Sequence, residues 1–140
     1  MSSDDILEIF STEFDKFQNL VNLITFDNDL TVNQIVQVYY QITNISSMIV
    51  VIKQQLKQST EKILRTEKFI NENFNSIIHP KIMDHIENSI SNITTDLQSL
   101  NSGQKSKETI ENEAKLYEKL REIMSTKEFV KQYDSGLSND

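Results

Sequence analysis

The sequence predicts an all-α protein, an elongated helical bundle or coiled coil built on one long central helix with antiparallel flanking helices. Three observations carry that prediction. Apolar residues recur every seven positions, as Ile35, Ile42, Ile49, Leu56, Ile63, Ile70 and Ile77, the stride of a helix held against neighbours by left-handed supercoiling. The 140 residues include two Gly and one Pro, too few to turn a set of strands. Residues 30–52 contain no charged side chain, so that part of the helix is expected to be surrounded on several sides.

The first helix is expected over 3–25, with Ser2 and Asp5 at capping-box spacing. Its stripe of Leu7, Phe10, Phe14, Phe17, Val21 and Ile24 alternates gaps of three and four. Phenylalanines at that spacing read as core packing, not as a ligand box. Residues 25–29 (TFDND) break the pattern with turn-forming Asp and Asn. Thr31 and Gln34 then form a capping box, and Leu30 with Ile35 a hydrophobic staple, to open the long helix over 31–78.

In the first half of that helix the alternate core positions, Val38, Ile45 and Ile52, are apolar too. β-Branched residues at both positions favour three or four helices over a pair. The second half is different: Ser59, Thr66 and Asn73 take the alternate places, and Leu64, Phe69, Phe74 and Ile78 complete the stripe. The seam therefore rotates near Ser59. Residues 36–45 are rich in strand formers, but the seven-residue stride passes through them unchanged, which favours helix.

His79-Pro80 is expected to end the long helix, because a residue before proline avoids the α region. A third helix over 81–101 carries Met83, Ile86, Ile90, Ile93, Leu97 and Leu100, and stops at Gly103. A charged helix follows over 107–124. Ser125 and Glu128 are spaced to restart a short one over 126–133, leaving 135–140 as a flexible tail. Helix lengths suit a single elongated domain over 1–134, the first helix folding back on the uncharged half and the helix after Pro80 on the other. A break near Ser59-Thr60 makes a compact bundle instead.

The function classes this excludes follow from charge and composition. A net charge of −7 argues against direct nucleic-acid binding or a generic anionic-membrane binder. Residues 1–30 hold seven acids against one base, Lys16. The chain has no cysteine, so it forms no disulfide, thiolate metal site or Cys nucleophile. The N-terminus has no basic segment or long apolar run of a secretory signal. The longest uninterrupted apolar run, 48–52, is far short of the ~20 residues a membrane span requires. An intracellular place, cytoplasmic or nuclear, without a membrane span is the expectation.

Gly103 and Gly136 are isolated, so no phosphate-cradling loop is expected. His79 and His85 flank Pro80, about 120° apart on a helix, and read as a solvated junction, not a metal site. No catalytic residue, cofactor, metal ligand or small-molecule substrate is expected. The reading is a non-enzymatic structural subunit of a multiprotein complex, hetero-oligomeric with other helical subunits. Its partner interface or core is Ile35, Val38, Ile42, Ile45, Ile49, Ile52, Leu56, Ile63, Ile70 and Ile77. The alternatives are a homo-oligomeric coiled-coil scaffold and a bundle that binds an apolar ligand or a membrane surface.

Overall fold

The computed structural model describes residues 3–27, 29–56, 61–100 and 106–138, with side chains at 5–27, 29–55, 61–100 and 106–134. The elements are all helical: α1 (Ser3–Phe26), α2 (Val32–Leu56), α3 (Glu61–Phe69), a π-helical segment (Ile70–Ile78), α4 (His79–Leu100) and α5 (Lys107–Ser138). The chain groups into two compact units, Met1–Lys81 and Ile82–Asp140, where the sequence reading drew one domain over 1–134.

In the first unit α1 and α2 form an antiparallel hairpin. Its turn is built as the sequence dictates. The Gln34 N–H donates to Thr31 Oγ1 at 3.1 Å and the Thr31 N–H to Gln34 Oε1 at 2.8 Å, a closed capping box. Leu30 and Ile35 are both buried beside it. Asp27 accepts from the Asp29 N–H at 3.0 Å and from Gln34 Nε2 at 3.2 Å. Those two bonds, the Asp29 one first, hold its carboxyl below the ordinary aspartate value.

The last carbonyls of α1 have no intrahelical donors. Lys81 supplies them. Its Nζ donates to the carbonyl oxygens of Ile24 at 2.7 Å, Thr25 at 3.2 Å and Asp27 at 2.9 Å, a cation at the negative end of the helix dipole. Lys81→Met keeps the stem and removes all three bonds. It should lower stability by about 1–3 kcal/mol, seen as a lower urea midpoint with an unchanged slope. An unchanged midpoint would mean water replaces the clasp at no cost.

The single straight helix expected over 31–78 is not what this unit contains. The Tyr39 hydroxyl and His79 Nδ1 share a hydrogen bond, with ring centroids 5.7 Å apart. Along a straight helix those forty residues would separate them by about 60 Å. Lys53 Nζ also reaches Glu67 Oε2 at 3.0 Å. α2 runs to Leu56 and α3 opens at Glu61; Ser59, where the seam is expected to rotate, lies outside the described residues. Folding back is favoured because a lone rod leaves its isoleucines wet, whereas the folded chain removes Ile35, Ile42, Ile49, Ile63 and Ile70 from water together.

Aromatic rings join the three layers. Phe14 meets Phe69 edge to face at 5.5 Å, Phe17 meets Phe74 at 5.5 Å, and Phe74 meets Tyr39 at 5.4 Å. The phenylalanines of α1 are core packing, and their ring partners are Phe69 of α3 and Phe74 of the π-helical segment. His79 is buried in this cluster at 7% exposure, so it is not the solvated junction expected.

Ile70–Ile78 is π-wound, and the backbone N–H of His79 donates five residues back to Phe74 O; the Ser76 hydroxyl also donates to Asn71 O at 2.8 Å. A π turn holds more residues than an α turn, so the inward positions here step by four. Ile70, Phe74 and Ile78 are buried, whereas Ile77, the last residue of the seven-residue stride, is 54% exposed. Leu64 is exposed too, the inward places of α3 going to Ile63 and Thr66. Nor does Pro80 stop the helix: His79 keeps α geometry (φ −59, ψ −48) and α4 begins there. A proline crowds the carbonyl four residues back, and wider winding ahead of it relieves that crowding.

In the second unit Glu87 of α4 pairs with Lys127 of α5 at 2.8 Å. The buried apolar side chains are Ile82, Ile86, Leu97, Ile123 and Val130. Ser106 caps α5, accepting the Thr109 N–H at 3.1 Å. The break expected between 124 and 126 is absent: Thr126 Oγ1 donates to Glu122 O at 2.8 Å inside a continuous helix that reaches Ser138. Part of the expected tail is thus helical, and 139–140 lie outside the described residues, as do Ser2 and Gly103. Tyr133 is half-buried, and burial, with Asp134 adding to it, pushes its hydroxyl up to about 12.

Val32–Gln55 of α2 is long and apolar enough to cross a membrane by length and composition. The core helix of a soluble protein passes the same test, and α2 turns Ile35, Val38, Ile42, Ile45 and Ile52 inward.

Candidate functional site

The α1–α2 hairpin buries one face of each helix and leaves another open. An inward stripe occupies only part of a helix circumference, and residues 30–52 are uncharged all round, so apolar side chains remain outside. Ile6 and Ile9 of α1 and Ser47, Met48 and Val51 of α2 line a groove of about 260 Å³. Ile9 and Val51 are well exposed. On its α1 side the groove adjoins a hollow lined by Asp5, Glu8, Ile9, Thr12 and Glu13. One rim is therefore acidic and the other, on α2, carries no charge.

Glu13 fastens the floor. Gln41 Nε2 donates to Glu13 Oε2 at 2.6 Å and to its backbone O at 2.9 Å, Asn44 Nδ2 donates to Oε2 at 3.2 Å, and Lys16 Nζ to Oε1 at 3.2 Å. These bonds, Gln41 foremost and Lys16 next, hold the Glu13 carboxyl below its ordinary value. A lowered carboxylate pKa stabilises above the ordinary glutamate range, and that contribution fades as pH falls through the folded-state value. Past this bridge the same face continues as a second depression lined by Lys16, Asn19, Leu20, Gln37, Tyr40 and Gln41.

Of the interface or core residues expected from the sequence, Ile35, Val38, Ile42, Ile45, Ile49, Ile52, Ile63 and Ile70 are buried within the first unit. The Leu56 side chain lies outside the described residues, and Ile77 is exposed. The neighbouring set Ile6, Ile9, Met48 and Val51 lines the groove, and Leu23, Phe26, Tyr40 and Val50 of the same two helices are exposed as well. The sequence signal for it was the surplus of apolar residues off the stripe in an uncharged segment. Ile9 stood out by no pattern at all. In the second unit, Ile110, Tyr117 and Met124 stand seven apart on α5 and are all exposed, a second apolar stripe.

Among the described residues no group of three or more His, Asp or Glu could hold a metal ion. Buried side-chain nitrogen and oxygen atoms among them all have hydrogen-bond partners.

Fold and groove together define a class: an all-helical protein with an open, acid-rimmed helix–helix groove. Compared with known proteins, the chain matches no family model, no curated protein and no solved structure.

Proposed function

We propose that this chain is a non-enzymatic structural subunit that assembles with other helical chains through helix–helix contacts. The observation that carries the reading is the apolar groove of Ile6, Ile9, Met48 and Val51, open beside a core that is already closed. Exposed apolar surface next to a finished core is the usual mark of an interaction site, and a groove between two helices is the shape that receives a third. The coiled-coil character expected from the sequence would then lie in contacts between chains, not in a rod within this one.

A second reading, self-association, draws on α5. Ile110, Tyr117 and Met124 repeat at seven residues, the spacing that pairs like helices. Anionic lipid is a poorer occupant for the groove, because its charged rim is acidic.

Ile9→Asp combined with Val51→Asp tests the reading. Both side chains are partly outside, so helix content should survive. Affinity purification from the protein's own cells should recover helical partners with the wild-type chain and lose them, by tenfold or more, with the variant. The gentler pair Ile9→Ser and Val51→Ser guards against misfolding. A monodisperse wild-type monomer that recovers the same proteins as the folded variant would overturn the proposal.

A further inference from the structure

Resting on the assembly reading above, we infer that the α1–α2 groove takes one amphipathic helix from another protein, and that this helix is basic along a single flank. The groove selects such a helix by asymmetry. Its floor is apolar, from Ile6, Ile9, Met48 and Val51. The α1 rim holds Asp5 and Glu8, while Glu13 is taken up by Gln41, Asn44 and the one base of α1, Lys16. The α2 rim is drawn from the uncharged residues 30–52. An occupant with acidic flanks would set like charges along α1. One with bases on both flanks would leave one row facing no counter-charge. A basic flank on the α1 side with a neutral flank on the α2 side matches both rims.

Length follows from the same face. The two depressions extend along α2 from Val51 back to Gln37, about 20 Å at the helical rise, so four turns of the partner fill it. The Glu13–Gln41–Asn44 bridge crosses between them, so the apolar anchors cluster at the Val51 end, spaced i, i+3, i+4, i+7. A second copy seated through its own α1 would set acid against acid, since residues 1–30 carry seven acids and one base.

The probes are fluorescein-labelled 18-residue synthetic helices with leucine at those anchor positions. One set carries Lys on one flank, a second carries Glu on that flank, and anisotropy is read against the full chain. The Lys-flanked peptide should bind at least tenfold more tightly, with the margin shrinking as salt rises. Asp5→Lys with Glu8→Lys should abolish or reverse the preference, and Met48→Asp should weaken both peptides, circular dichroism showing each variant folded. Equal binding of the two peptides, lost in Met48→Asp, overturns the charge inference while leaving the assembly reading standing. Binding of neither peptide by a dimer that Met48→Asp dissociates gives the groove to a second copy and overturns the inference. Binding of neither by a monomer overturns inference and assembly reading together.

Discussion

Ile42→Asp should leave the first unit without a cooperative unfolding transition. Ile42 has 0% exposure on α2, the helix that packs against α1. Losing a buried isoleucine costs about 2–5 kcal/mol, and an ionised carboxylate without a partner there adds several more. Domains of this size hold on the order of 5–10 kcal/mol in all. Hydrogen exchange on the full chain should show the amides of α1 and α2 losing protection, whereas Ile42→Val should cost only about 1 kcal/mol. A buried carboxyl is tolerated only when protonated, so partial protection should return on acidification and vanish as pH rises. A variant melting like wild type would mean that Ile42 is not a core residue. The same reasoning disqualifies this substitution as a test of assembly, because it removes the fold before it reaches any interface.

Phe74→Ala should be nearly as severe, at about 3–5 kcal/mol. Phe74 is fully buried and meets Phe17, Tyr39 and His79 at 5.5, 5.4 and 6.3 Å, so its loss opens a cavity where three elements join. Aromatic pairing adds about 0.5–1.5 kcal/mol per pair beyond simple burial. The urea midpoint and the near-ultraviolet dichroism of the tyrosines should both fall. Two neighbours test the winding itself. Ile78→Ala should cost about 2–5 kcal/mol, while Ile77→Ala, at an exposed position, should stay within about 0.5 kcal/mol. The reverse order would show that the seven-residue stride, not the four-residue step of the π turns, sets the inward face.

Those two isoleucines mark where pattern reading gave out. A heptad count assumes an α turn throughout, and nothing in INENFNSII announces wider winding. The signal nearest to hand is Pro80, whose ring crowds the carbonyl four residues back. His79 went wrong for a related reason. Beside a proline and six residues from its only fellow histidine it looked solvated, because its partner Tyr39 lies forty positions away and is reached only once the chain folds back. Lys81 belongs with it: a lone lysine after a proline gives no hint that it closes the end of α1.

The groove was half legible. Met48 and Val51 fall in the apolar run 48–52 of a segment with no charge, and Ile6 widens the stripe of the first helix. Their meeting in one concavity depends on the register of α1 against α2, which Glu13, Gln41 and Asn44 settle through bonds spanning 28 and 31 residues.

By itself the sequence determined the all-helical class, the capped start of the second helix, the phenylalanine core stripe of the first and the inward isoleucines from Ile35 to Ile70. Each rests on interactions within a few turns of the chain, where spacing and capping chemistry suffice. Only the tertiary structure decided that the expected rod doubles back, that the stripe passes from Ile77 to Ile78, and which apolar side chains stay outside. Those outcomes turn on contacts between residues far apart in the chain, whose strength depends on packing geometry that no periodicity encodes.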